Sequence, residues 1–359
     1  MNAVGCFIFQ GSFTVGVAER FKVIAHLEDG DFGVATFKLN FPDVPVHTVV
    51  EDWPLDELVG KVDLLYGNPP CAPFSPVGST ISKSRKDSGQ WRGDPRLKCW
   101  DNLIRVTEVI RPAVFVGESV PRFYTAGWEL SSSYAKRFLK LGYDVNFVLH
   151  DVKFLGGPQQ RRRVFLVATK VKLDWYIPDL RIRTFRDAVA GLDDPGPYQE
   201  PYDEVAEMLH TLPQGEGLTG AFDKFYPRTF QRKHKLHHPR FAEHRIRMDS
   251  PTGTVFGNVF LHPTEPRFLG IREYQRLMGY PDGYRWSHTN IGRVMNEMVK
   301  AVTPFAARYA AHVVASGLTL NRKVRRPNKV IEVVRWAKST RVVDHKMVPS
   351  ETDITGRLP

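Results

Sequence analysis

Four short stretches carry side chains able to do covalent chemistry together. Cys71 closes "LLYGNPPC", an apolar run that ends in a glycine, an asparagine and two prolines. Proline locks its own backbone φ, so the thiol is held on a stiff loop with little freedom to swing away. Such a cysteine is a nucleophile to the extent that it is a thiolate. A buried structural cysteine is the plain alternative, and Cys71 alone leaves the two open. Glu118 stands at the end of the run "VFVGES", and Gln159, Arg161 and Arg163 lead into the run "VFLVA". Singly, Glu118 reads equally as a surface carboxylate and the arginines as phosphate contacts. Glu28 ends the run "KVIAHLE", and an acid at the end of a second strand commonly bonds a ribose diol.

The elements around these residues must be strands and helices in alternation. "FIF", "KVIAHLED", "VDLLYG", "AVFVGES", "DVNFVLHD" and "RRVFLVATK" read as strands, separated by helical stretches such as "WDNLIRVTEVIRP" and "YAKRFLKLG". That alternation predicts an α/β fold, a Rossmann-like, mostly parallel sheet with helices on both faces. Ligands of such sheets sit at the C-terminal ends of strands, where the candidate residues fall. From residue 171 to 250 prolines, glycines, histidines and basic residues interrupt every period, which reads as a small irregular inserted lobe. The expected organisation is a core over residues 1–170, the lobe over 171–250, a return to the core over 251–320 and a basic tail over 321–359.

Composition narrows the setting. The chain of 359 residues carries a net charge of +11, which suits a polyanionic partner but equally a solvated basic surface. No apolar run is long enough to span a membrane, and "MNAVGCFIFQGSF" lacks the marks of a signal peptide. The 3 cysteines are odd in number and widely spaced, with no CxxC pair, so no metal site is expected. His234, His237 and His238 lack partners at ligand spacing. A reducing cytoplasm, of a prokaryotic or phage-infected cell, is the expected location.

In order along the chain, "PPC", "GES", "QQRRR" and "PRFLGIREYQRLMGYP" resemble the signatures of the DNA cytosine-5 methyltransferase family. These are a PC dipeptide after a strand, ENV, QxRxR, and a helix closed by a Gly-Phe-Pro turn. The resemblance runs from about residue 5 to 315, leaving out the inserted lobe. It implies that Cys71 is the nucleophile that adds to C6 of a cytosine flipped out of double-stranded DNA. Glu118 would engage N3, and Arg163, with Arg161 beside it, would bind O2. Addition turns C5 into an enamine carbon that takes a group from a sulfonium donor. The family's mobile loop corresponds to "VGSTISKSRKDSGQWRGDPR" after Cys71, though a solvated loop reads the same way. Monomeric action is expected.

At the cofactor end, "FQGSFT" stands in place of the family's FxGxGG, with Phe9 and Gly11 matching and Ser12 or Phe13 replacing a glycine. Phe9, Gly11, Glu28, Asp52 and Pro70 are the implied cofactor contacts. ENV is here ESV, with Ser119 for asparagine, and Ala72 replaces the usual glutamine. The family's Q-I-G-N-A-V-x-P reads "EMVKAVTP", which puts Lys300 in place of an asparagine near the donor's sulfonium; a register on "NIGRVM" would put Arg293 there but loses the "AVTP" match. Two unit charges ~4 Å apart repel by about 4 kcal/mol at an effective dielectric near 20. An anionic transferred group removes that conflict. The donor reading therefore leans to carboxy-S-adenosylmethionine, giving 5-carboxymethylcytosine, with S-adenosylmethionine and ordinary methylation as the alternative. A Lys300 side chain turned toward a DNA phosphate or solvent would leave the ordinary donor in place.

The lobe, with "FDKFYPRTFQRKHKLHHPRF", suits phosphate contact and groove insertion, and its small size suggests a short recognition sequence. "RIRMDSPTGTVFG" resembles the segment that packs this lobe on the core in the family. An inactive DNA-binding relative and an RNA-directed enzyme are competing readings.

Overall fold

The computed structural model describes residues 1–74, 92–176, 178–236 and 243–321, with the backbones of 330–335 and 341–345. Most of the loop after Cys71, His237, His238 and most of the basic tail lie outside the described residues. The chain forms two compact units: Met1–Leu155 with Arg162–Leu180 and the segment from Ala301 onward, and Gly156–Arg161 with Arg181–Lys300. The changeovers fall at residues 156, 162, 181 and 301.

The first unit is built on one sheet. Its strands are β1 (Asn2–Cys6), β2 (Lys22–Leu27), β3 (Val46–His47), β4 (Leu64–Gly67), β5 (Val114–Ser119), β6 (Asp144–Asp151), β7 (Arg162–Thr169), β10 (Val330–Arg335) and β11 (Arg341–His345). They lie side by side in the order β11-β10-β6-β7-β5-β4-β1-β2-β3. The run β3-β2-β1-β4-β5 is parallel throughout, and β10 continues it parallel to β6. β7 runs antiparallel to both of its neighbours, β5 and β6. The mostly parallel α/β architecture expected from the alternation is therefore present.

Strand residues alternate between two apolar layers, as the period of 2 requires. Phe115, Phe147, Leu149, Val164 and Leu166 join a core with Leu103, Ile104 and Phe138. Those partners come from helices α4 (Lys98–Ile110) and α6 (Trp128–Lys140). Val116, Val148, Phe165 and Val167 join a second core with Phe13, Ala310 and Val314. Phe13 lies on α1 (Ser12–Val17) and the other two on α13 (Pro304–Leu320). A sheet covered on both faces reads as near-continuous apolar runs, which is why "VFLVA" carries no polar alternation.

The second unit has a smaller core, in which Val205, Met208, Leu209, Leu218 and Phe222 pack with Leu261 and Phe268. A two-stranded parallel pair, β8 (His244–Arg245) and β9 (Phe260–Leu261), crosses it. Arg245 is buried there and spends its guanidinium on main-chain carbonyls, with Nη1 donating to Leu212 O at 2.7 Å and Nε to His262 O at 3.1 Å. So small a core needs such polar staples to fix its loops.

The stretch "PRFLGIREYQRLMGYP" folds around a buried ion pair. Arg267 donates to both Glu273 oxygens, at 2.7 and 3.1 Å. Glu273 also accepts from Gly270 N at 2.7 Å, capping helix α11 (Ile271–Met278). Gly279 closes that helix at φ 95°, a conformation that favours glycine.

Candidate active site

Two loops and one reversed strand meet at one edge of the sheet. β4 and β5 end at Gly67 and Ser119. Because β7 runs the other way, its start, Arg163, arrives at the same edge as the end of β5. The register pairs Glu118 with Phe165 and Ser119 with Val164. Arg163, two residues from Phe165, projects from the same face as Glu118. Its Nε lies 3.1 Å from Glu118 Oε1. The other carboxylate oxygen, Oε2, accepts from Asn68 Nδ2 at 2.8 Å. Glu118 is thus a buried carboxylate, 2% exposed, held from both sides.

Cys71 follows Asn68, Pro69 and Pro70, and is a free, half-buried thiol packed against the apolar core. Its carbonyl accepts from Phe74 N at 3.0 Å. Phe74 is buried and meets Phe123 edge-on at 5.2 Å, which anchors the far side of the loop. Pro70 is half-buried on the same loop. Arg96, paired with Asp94 at 2.6 Å, lies within electrostatic range of Cys71.

Across the neighbouring strands the chain forms a second constellation. Glu28 ends β2, and its Oε1 accepts from Phe9 N at 2.8 Å and contacts His26 Nε2 at 2.7 Å. Its Oε2 makes no hydrogen bond among the described residues. Trp53 Nε1 donates to Glu28 O at 3.1 Å, docking the turn Val50–Asp52 on the end of β2. Asp52 is exposed on that turn. Phe9 has φ 57° and Gly11 φ 98°, so the loop after β1 doubles back sharply. Phe32 meets Phe9 edge-on at 5.6 Å. Gly33 lets the two loops touch: it sits at φ 76°, and a Cβ there would fall 2.5 Å from Gln10 N.

A nucleoside-bearing sulfonium cofactor, which the family implies, fits this constellation on its donor set. An acceptor oxygen left over at a β2 end suits a ribose diol, and the Phe9 main chain holds the other oxygen of that carboxylate. Phe13, which with Ser12 is one of two residues that could take the place of the family's glycine, points away into the core, 5.0 Å from Tyr66 and 6.2 Å from Phe165. Its ring fills the space under the loop rather than the loop's outer face.

Arg161 and Lys300 belong to the second unit. Arg161 is buried, and its Nη1 and Nη2 donate to Val255 O at 2.8 Å and Val299 O at 2.9 Å. Gln159 donates to Leu277 O at 2.8 Å. The QQRRR stretch thus divides, with Gln159 and Arg161 bracing the second unit and Arg163 reaching Glu118. Lys300 caps the C-terminus of helix α12 (Ile291–Val299) and is exposed. Val299, whose carbonyl Arg161 holds, is the residue before it.

Asn68 was passed over in the sequence, where it reads only as a turn residue before the prolines. His150 was missed as well. It is fully buried opposite Arg163 in the β6–β7 register and stacks on Phe165 at 4.3 Å. Burial and the Arg163 charge hold its imidazole down at about 3. Neither signal is local in sequence.

Comparison with known proteins places the chain among methyltransferases in sequence and in fold. The type II methyltransferase M.MthTI of Methanothermobacter thermautotrophicus is 27% identical over 244 residues, 63% of this chain and 70% of that protein. M1.HphI of Haemophilus parahaemolyticus, another type II methyltransferase, is 25% identical over 338 residues, 88% and 86% of the two chains. The crystal structure of Dnmt2 methyltransferase from S. pombe superposes with a TM-score of 0.61 at 13% identity, covering 89% of this chain and 99% of that one. That last likeness is one of fold. The family model for C-5 cytosine-specific DNA methylases matches residues 5–315. With that span matched and Cys71, Glu118 and Arg163 gathered on one sheet edge, the chain belongs to the C-5 cytosine-specific DNA methylase family.

Proposed function

We propose that this protein modifies C5 of a cytosine flipped out of double-stranded DNA. The observation that carries the reading is the Glu118–Arg163 pair at 3.1 Å on the sheet edge where the Cys71 loop emerges. A target carbon inside a duplex is out of reach, so the base must leave the stack. Glu118 engages N3 and Arg163 holds O2, which draws electron density from the ring. The Cys71 thiolate forms a bond to C6, and the C5–C6 double bond shifts its electrons to make C5 an enamine carbon. Glu28 and Phe9 would hold the nucleoside end of a sulfonium cofactor, which would supply the electrophilic carbon that C5 attacks, the S–C bond breaking and the sulfur leaving as a neutral thioether. A base then takes the C5 proton, and the electrons of that C–H bond restore the double bond and expel Cys71. The +11 net charge of the chain suits the polyanionic substrate.

A duplex carrying 5-fluorocytosine at the target blocks the last step, because fluorine cannot leave as a proton does. A denaturation-resistant protein–DNA adduct that forms with the native chain in the presence of a sulfonium donor and disappears in Cys71→Ser is the expected result. Equal adduct from both proteins would contradict the reading.

A second reading concerns the donor. Lys300 is an exposed ammonium at the end of α12, where the family motif has a neutral asparagine. The change of residue type, and not its exposed position, is what motivates carboxy-S-adenosylmethionine and a carboxymethyl product; a side chain turned to solvent or a DNA phosphate goes with S-adenosylmethionine and methylation. Offered both donors in competition, Lys300→Asn should then turn toward S-adenosylmethionine. Unchanged donor choice would remove this reading.

A further inference from the structure

Asn68 stands out because its amide serves a single neighbour. It is buried, 2% exposed, at the end of β4, and its main-chain N–H donates to Cys6 O at 3.3 Å. The side-chain Nδ2 donates to Glu118 Oε2 at 2.8 Å. Its Oδ1 is shut away from solvent and accepts no hydrogen bond among the described residues. A buried asparagine kept for architecture normally satisfies both ends of its amide on loop backbone. This one spends its donor on a carboxylate and leaves its acceptor idle.

The surroundings make Glu118 the acid whose proton Asn68 would govern. Arg163 on β7 faces one carboxylate oxygen. His150 on β6, beyond Arg163, is held neutral by burial. Tyr66 on β4 keeps its proton, pushed up by burial, with its hydroxyl on Thr14 Oγ1 at 2.8 Å. Cys71, three residues along the loop, is the other group that titrates in the reaction.

We propose that Asn68 is a positioning residue for Glu118. Its N–H fixes the plane of the carboxyl group and stabilises the anion until cytosine N3 arrives to share a proton. The proposal rests on the reading of Glu118 given above. A donor to the charged form lowers a carboxyl pKa, and a second carboxylate in its place raises it sharply. Asn68→Asp is nearly isosteric and makes that exchange, giving a dyad that titrates as a unit.

The test follows the rate of adduct formation on saturating 5-fluorocytosine duplex from acid to alkaline pH. One limb reports Cys71 and the other Glu118, and Glu118→Gln identifies the Glu118 limb by removing it. In Asn68→Asp the Glu118 limb should move up by about one pH unit or more. Affinity for DNA should hold, because the side chain is buried. Asn68→Ala, which removes the donor and adds no charge, should show a smaller upward move and a rate about tenfold lower. It also serves if Asn68→Asp does not fold, as judged by circular dichroism. Glu118 limbs coincident with the native chain in the folded variants would overturn the proposal. Glu118→Gln separates the two levels. If it forms adduct as fast as the native chain, the reading of Glu118 itself fails. If it is slow while the Asn68 limbs stay put, only the role of Asn68 fails.

Discussion

Arg163 Nε meets Glu118 Oε1 at 3.1 Å across two strands that run in opposite directions. The contact exists because β7 is reversed, which carries its first residues to the edge where the parallel strands end. Both side chains are largely withdrawn from water, at 14% and 3% exposure. Removing one partner of such a pair leaves a buried charge uncompensated. Arg163→Ala should therefore lower stability by about 3 kcal/mol, read as a lower urea midpoint. Arg163→Lys, which restores the charge, should recover part of it.

The three thiols should differ sharply in reactivity. Burial and the neighbouring Glu28 carboxylate push Cys6 far up, and burial with a hydrogen bond to Asp29 takes Cys99 up to about 12. Cys71 is half-buried at a loop. Iodoacetamide at pH 8 should alkylate Cys71 first, with Cys6 and Cys99 following only after unfolding. Peptide mass spectrometry checks the order, and early labelling of Cys99 would contradict it.

The contact between the loops after β1 and β2 depends on Gly33. An alanine there would hold φ at 76° with its Cβ 2.5 Å from Gln10 N. The left-handed conformation alone costs a residue with a Cβ about 1–2 kcal/mol, and the overlap adds to it. Gly33→Ala should weaken binding of S-adenosylhomocysteine by about tenfold or more, measured by calorimetry. Unchanged affinity would show that this loop contact does not shape the cofactor end.

His150 should make stability fall in acid. Its folded value is depressed to about 3 from an ordinary 6.5, so the unfolded chain binds the proton more readily. The stabilisation is complete above 6.5 and is lost as pH drops from there toward 3, at up to about 1.4 kcal/mol per pH unit. His150→Phe keeps an aromatic ring against Phe165 and removes the titration. The gap between variant and native stability should widen in favour of the variant as pH falls from 6.5. A constant gap would contradict the burial of a neutral imidazole.

Much of the core and its candidate residues was legible because the signals are local. A strand run followed by a turn places Cys71 and Glu118 at strand ends without knowledge of any partner. The same logic put Glu28 at the end of β2. What the sequence withheld is pairing at a distance. "RRVFLVATK" reads as a strand but says nothing of its direction, and that reversal is what joins Arg163 to Glu118. The spacing of Arg161 and Arg163 suggested neighbours in one task, yet Arg161 is occupied by the carbonyls of Val255 and Val299. Asn68 looks like turn punctuation until its partner, fifty residues on, is known. The lobe was harder still, since its small apolar core joins short, separated segments and is braced by buried cations such as Arg245.

The central claim is that cytosine in DNA leaves this protein carrying a new group on C5. The direct measurement incubates the purified chain with cytosine-containing duplex DNA and each donor, alone and in competition, then digests the DNA and weighs the nucleosides. The account predicts a deoxycytidine raised in mass by a methyl or carboxymethyl group, absent with Cys71→Ser. Unmodified cytosine with both donors, or the added mass on another base, would contradict it.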